Sequence, residues 1–279
     1  MKDKIAIIGI SALFPGSETK QQFWQNLLAE RDLTSRSTER DFGTDPNYFF
    51  DPEKGKIDHC FSLKGGYIRD FQFDPTGYEL PADFLRQQDD LYQWSLYVAR
   101  EALRDSGYLE RKEVLEKCGV VLGNLSFPTR SSHRLLAPFY AQTVNKALRE
   151  VLQDDDFSLP LHEQLPDNKV VTVNPSRMVA QGLGLGKTHY ALDAACATSL
   201  YAIKLASDEL LTGKADLMLA GAISCSDQLF IHMGFSIFHA YAGHDQAFAP
   251  LDKNSGGLIS SEGAGMVVIK RLADAERDG

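Results

Sequence analysis

The segment Asp193-Ala194-Ala195-Cys196-Ala197-Thr198-Ser199 sets one thiol among small residues, between an apolar strand-like run and a long apolar helix-like run. A cysteine at a strand-to-helix turn is aimed at the positive end of the helix, where backbone N–H groups and the macrodipole favour a thiolate. A thiolate so placed is a nucleophile for acyl groups. Ala194, Ala195 and Ala197 leave room for an acyl chain at the sulfur, and the Cys196 N–H can help to hold an oxyanion. A free cysteine taken alone is more often a small buried hydrophobe. The strand–turn–helix setting reverses that choice, and Cys196 becomes the candidate catalytic residue.

Other groups give weaker signals. None of the histidines, His59, His133, His162, His189, His232, His239 and His244, forms a ligand pair at metal spacing. His239 and His244 follow the Cys196 strand–helix–strand unit and could approach it, although a loop or outer-layer position is the simpler expectation. A cysteine hydrolase would need one of them within hydrogen-bond reach of the sulfur, and no local signature supports that reading. The run Gly256-Gly257-Leu258-Ile259-Ser260-Ser261-Glu262-Gly263-Ala264-Gly265 lacks a Gly-Lys-Ser/Thr ending and is followed by a strand, so it is a tight loop passing near the active site, not a phosphate cradle. Gly9 does not open a G-x-G-x-x-G fingerprint either. Phe230, Met233, Phe235 and Phe238 are most simply core, but a greasy wall near a thiolate would also accommodate an acyl tail. They are the candidate substrate-binding residues. No cofactor-binding or metal-binding residues are expected.

The elements that position Cys196 follow from hydrophobic periodicity. Ile5–Ile10 is a continuous apolar run, as expected of a strand buried on both faces. Ser17 is the expected cap of a helix over 18–30, with Phe23, Trp24, Leu27 and Leu28 on one stripe. Residues 31–80 are rich in Gly, Pro and Asp and are expected to be irregular, with short strand pieces. A helix is expected over 81–106, with Gly107 closing it, and another over 139–153 ahead of a solvated Asp154-Asp155-Asp156 loop. A short helix from Asn174 or Ser176 ends at Gly182–Gly186. Strands are expected at 118–123, 188–193, 217–222 and 266–269. The helix over 198–212 is apolar nearly all round, which predicts that it is buried with its N-terminus inside the protein. Alternating buried strands and helices imply an α/β fold with a mostly parallel central sheet.

At 279 residues, 43% hydrophobic and 24% charged, the chain has the make-up of an ordinary soluble globular protein with a sizeable core. A net charge of −9 argues against nucleic acid as a partner. The four cysteines, Cys60, Cys118, Cys196 and Cys225, are far apart with no C-x-x-C pair, the pattern of unpaired thiols in a reducing compartment. The N-terminal apolar run is too short for a signal peptide and breaks at Pro15-Gly16, and no stretch approaches a bilayer span, so a cytoplasmic protein is expected.

Three motifs resemble β-ketoacyl synthases of the thiolase-like superfamily. Ile5-Ala6-Ile7-Ile8-Gly9 through Phe14-Pro15-Gly16 and Phe23-Trp24 is similar to the start of polyketide ketosynthases. Asp193–Leu200 is similar to the nucleophile motif, and Ser261–Val268 with Lys270-Arg271-Leu272 to the glycine loop and strand near the end of the family's N-terminal half. Trp94-Ser95-Leu96 and Met233–Ala240 look most like ketosynthases of polyunsaturated fatty acid synthases. Leu85–Asp90 departs from the Asp-Pro-Gln run of modular enzymes, and Ser261 stands where a glycine is usual. The resemblance implies a layered α-β-α fold with a mixed, mostly parallel sheet, residues 1–279 forming the N-terminal half of a ketosynthase domain whose C-terminal half is absent. It implies that Cys196 accepts an acyl group from the phosphopantetheine of an acyl carrier protein before decarboxylative condensation with a malonyl thioester. The family's two catalytic histidines and lysine belong to the C-terminal half, so Cys196 alone is carried over. The presence of Cys196 separates the chain from chain-length factors, one of which, or a second copy, is the implied dimer partner. The rival expectation is a non-catalytic docking or dimerisation module of a synthase.

Overall fold

A computed structural model describes residues 4–159, 174–243 and 248–279. His162 and His244 lie outside these residues. The strands are β1 (Ile5–Leu13), β2 (Ser35–Arg36), β3 (Lys64–Gly65), β4 (Cys118–Asn124), β5 (His189–Leu192), β6 (Leu217–Ser224) and β7 (Gly263–Arg271). The α-helices are α1 (Lys20–Leu28), α2 (Glu39–Phe42), α3 (Ala82–Arg86), α4 (Asp90–Asp105), α5 (Lys112–Leu115), α6 (His133–Leu152), α7 (Asn174–Leu183), α8 (Thr198–Leu211), α9 (Gln228–Ile237) and α10 (Leu272–Asp278).

Five strands form the central sheet in the order β1-β7-β6-β4-β5, while β2 and β3 pair separately within the irregular 31–80 region. β4 pairs in parallel with β5 and β6, whereas β7 is antiparallel to both β6 and β1. Four strands therefore run one way and β7 alone runs back, a mixed sheet in which two neighbouring pairs are parallel and two antiparallel. Helix α4 crosses β1, β7 and β6 with α7 beside it, and α8 crosses β6, β4 and β7. The alternation of side chains along each strand sorts the two faces. Leu13, Val120, Leu122, Ile223, Met266 and Val268 join the core under α4, and Val121, Met218, Ala220 and Ile269 join a smaller core with Ala202, Ala206 and Leu210 of α8. The layers are α-β-α, as expected.

Gly9 owes its place to packing: a Cβ there would lie 2.4 Å from the Ala102 carbonyl of α4. Several expected boundaries move for local reasons. Thr19, not Ser17, caps α1, in a reciprocal capping box with Gln22. The helix expected over 81–106 is two helices, because Asp89 turns its carboxylate onto the Leu91 N–H at 2.9 Å and starts α4 afresh. α6 begins six residues ahead of expectation.

Burial departs further from expectation. β1 is an edge strand, and the α8 side of the sheet leaves Ile7 57% and Ile10 46% exposed, because α8 lies over β4, β6 and β7. α8 is not enclosed: Leu200 and Tyr201 are 71% and 54% exposed, and the Trp24–Leu27–Leu28 stripe of α1 faces outward.

Candidate active site

Cys196 sits where the parallel end of the sheet meets α8. After β5 the chain makes one 3-10 turn, Ala195–Ala197, and enters α8 directly. Ala195 holds φ +50°, a left-handed conformation uncommon for a residue with a Cβ. Two side chains keep it there. The Asp193 carboxylate accepts the Ala195 N–H at 2.9 Å, and the Thr198 hydroxyl donates to the Ala195 carbonyl at 2.5 Å while accepting the Ala194 N–H at 2.9 Å. The turn presents Cys196 to solvent, whereas Cys60, Cys118 and Cys225 are buried. Burial pushes the Cys60 thiol up to about 11 and the Cys118 thiol to about 12, with Cys225 also driven well up, so these three stay protonated.

In front of Cys196 lies a cavity of about 710 Å³, within the range of small-molecule sites. Its floor is made by strand register. Gly123, Ala222, Gly265 and Ala12 lie opposite one another across β4, β6, β7 and β1, so no side chain larger than a methyl rises from this row. Phe14 and Phe23, with ring centroids 4.8 Å apart, and Ile203 of α8 also line the cavity. Ser261, Glu262 and Gly263 contribute the rim, which places the glycine-rich segment beside Cys196 as a close-passing loop.

Glu262 is 3% exposed. It accepts the Ile68 N–H at 2.7 Å, with Gln228 at 3.5 Å and Arg130 at 3.9 Å. Burial pushes its carboxyl up to about 7, against the pull of the Ile68 N–H and Arg130.

The four aromatic and methionine candidates do not line this cavity. α9 leaves β6 and packs against α2 and the 60–63 segment, where His232 fixes it from the inside. The buried His232 Nδ1–H donates to the Ser62 carbonyl at 2.9 Å, and Nε2 accepts the Tyr67 hydroxyl at 2.9 Å; burial lowers its pKa to about 4. Met233 accordingly packs on the Phe42–Cys60–Leu63 cluster and Phe235 meets Tyr241 edge-on at 5.8 Å. Phe238 is 78% exposed, and Phe230 packs on Phe127 at 5.3 Å. His239 stands beside Phe61 and Gly55, and among the described residues no histidine lines the Cys196 cavity. The aromatic wall that sequence reasoning missed is Phe14 and Phe23. Phe14 directly follows β1, and its position became readable only once β1 was paired with β7.

The family model for the beta-ketoacyl synthase N-terminal domain matches residues 2–275. The chain belongs to this family. It is 33% identical over 282 residues to one of the polyunsaturated fatty acid synthase subunits of Thraustochytrium sp., covering 99% of this chain and 13% of that one. It is 50% identical, with a TM-score of 0.92, to a solved structure described as PfaC Keto synthase-Chain length factor, covering 99% of this chain and 30% of that one. The OzmH KS7 oxazolomycin ketosynthase domain from Streptomyces albus JA3453 shares the fold, with a TM-score of 0.76 at 22% identity over 99% of this chain and 45% of that chain. The chain thus spans less than half the length of each. The thiolase-like layered fold is shared with the two solved structures, and the likeness to a polyunsaturated fatty acid synthase agrees with the motif resemblance. Among the described residues no helix of this β-ketoacyl synthase relative is long and apolar enough to cross a membrane.

Proposed function

We propose that Cys196 is the acyl-accepting nucleophile of a β-ketoacyl synthase and that residues 1–279 form the nucleophile-bearing half of its domain. One observation carries this reading: Cys196 is the one exposed thiol of four, and it stands at the start of α8 above a cavity floored by small residues. In the proposed first step the Cys196 thiolate attacks the carbonyl of an acyl-phosphopantetheine thioester. The tetrahedral oxyanion forms near the N-terminal N–H groups of α8, and it collapses by expelling the pantetheine thiolate, leaving an acyl-cysteine. The aromatic pair Phe14 and Phe23 offers an apolar surface beside the sulfur. Phe230 joins the site indirectly, through Phe127 on the loop that follows β4.

Condensation then requires a malonyl thioester to lose CO2, and its carbanion carbon to form a C–C bond to the acyl carbonyl as the Cys196 thiolate leaves. The acid–base groups for that step are assigned to the C-terminal half of the family's domain. We place the protein in the cytoplasm, working with an acyl carrier protein and paired with a second copy or a chain-length-factor-type partner. Incubation with hexanoyl-pantetheine and intact-mass measurement tests the first step. The wild type gains one acyl group, Cys196→Ala gains none, and acyl loading that survives in the variant overturns the assignment.

A further inference from the structure

The Asp193 carboxylate does two things at once. Its Oδ1 accepts the Ala195 N–H at 2.9 Å, and its Oδ2 accepts the Ser126 N–H at 2.8 Å from the loop after β4. That loop is part of the same site. Asn124 and Leu125 line the cavity, Phe127 packs on Phe230, and the Pro128 carbonyl accepts the Asp227 N–H at 2.7 Å at the start of α9. A single side chain therefore joins the strained turn before Cys196 to a loop that lines the same cavity.

We propose that Asp193 is a positioning residue for Cys196, tethering the nucleophile turn to the 124–128 loop so that sulfur and cavity wall keep one register. The proposal rests on the acyl-acceptor reading of Cys196. The two N–H donors reach different oxygens of one side chain, an arrangement a carboxylate provides and a carboxamide, with one oxygen and one NH2, does not. These same two N–H groups hold the carboxyl below the usual aspartate range, so it is ionised and both oxygens accept at neutral pH. The φ of +50° at Ala195 is an uphill conformation, and it persists because the surrounding hydrogen bonds over-determine it. With one tether removed, the turn has less to hold it, and a misplacement of about 1 Å in a reacting group costs on the order of 100-fold in rate.

Asp193→Asn keeps the size of the side chain and one acceptor, but sets an NH2 against one of the two N–H groups. The measurement compares transfer from hexanoyl-pantetheine to Cys196 with alkylation by iodoacetamide, which needs the thiolate but no oxyanion geometry. Asp193→Asn is expected to slow acyl transfer by about tenfold or more, while Cys196 alkylation changes by less than about threefold. The buried Cys60, Cys118 and Cys225 report unfolding, and they should stay unreactive. Ser126→Pro removes the same donor from the other side, and added to Asp193→Asn it should cost little further.

Acyl transfer at the wild-type rate in Asp193→Asn overturns the proposal. So does a loss that comes with alkylation of the three buried cysteines, since that is unfolding and not positioning. A wild type that accepts no acyl group fails earlier and takes the acyl-acceptor reading with it.

Discussion

Replacing Glu262 by glutamine should remove a pH dependence of stability that burial of this carboxyl builds into the fold. In the unfolded chain the group ionises near 4.5, whereas in the folded protein it keeps its proton up to about 7. Between those values the folded state binds more protons than the unfolded state. Stability contributed by this group is therefore full at pH below 4.5, falls as pH rises, and is gone above 7. The whole shift corresponds to about 3 kcal/mol, most of which falls between about pH 5 and 8. The group is 3% exposed, so solvent screening does not dilute this figure as it would for a surface carboxylate. The glutamine of the Glu262→Gln variant would keep an acceptor for the Ile68 N–H but would not titrate. Urea unfolding of both proteins at several pH values from about 5 to 8 reads the difference. Other titrating groups, including the buried His232 with its pKa near 4, are common to both proteins and cancel. The wild type should lose about 2 to 3 kcal/mol relative to Glu262→Gln across that range. Parallel curves would refute the reasoning.

Two further outcomes follow from packing. Gly221→Ala would put a Cβ 2.1 Å from the Gly265 carbonyl and 2.9 Å from Met266 Cα of the neighbouring strand, so β6 and β7 must part; a loss of about 3 kcal/mol is expected in a denaturant titration, and a loss below about 1 kcal/mol would contradict the register. The uncovered apolar side chains Leu200 and Tyr201 on α8, with Ile7 and Ile10 on β1, are expected to make the chain self-associate. Sedimentation velocity should show the double change Leu200→Glu and Tyr201→Lys shifting the protein toward monomer, with its far-UV circular dichroism unchanged.

The elements around Cys196 were legible because their information is local. The apolar run before Asp193, the small residues about the turn and the helix-forming stretch to Leu211 lie in one continuous segment, and their periodicities change at the right places. Burial was less legible. The apolar composition of α8 says what the helix can bury, but not which side a neighbour covers, and Leu200 and Tyr201 stay exposed although Ala202, Ala206 and Leu210 are enclosed. The Trp24–Leu27–Leu28 stripe of α1 is ambiguous in the same way. Caps failed at the scale of one or two residues, since Ser17 and Thr19 are both acceptable caps and only the Gln22 partner selects Thr19.

The cavity floor and the Asp193 tether depend on pairing between distant segments, which one sequence does not display. Gly123, Ala222, Gly265 and Ala12 are unremarkable as separate small residues; register makes them one row. Asp193 is likewise an ordinary turn residue until β4 and β5 are paired, when Ser126 arrives from 67 positions away to take its second oxygen. The same pairing explains why the α9 residues were plausible candidates for the site. They follow β6, whose end does reach the cavity, but the His232 hydrogen bonds to Ser62 and Tyr67 hold α9 against the 62–67 segment, and its side chains do not line the cavity. A sequence motif can thus single out one thiol, whereas the identity of the wall around it is decided by which strands become neighbours.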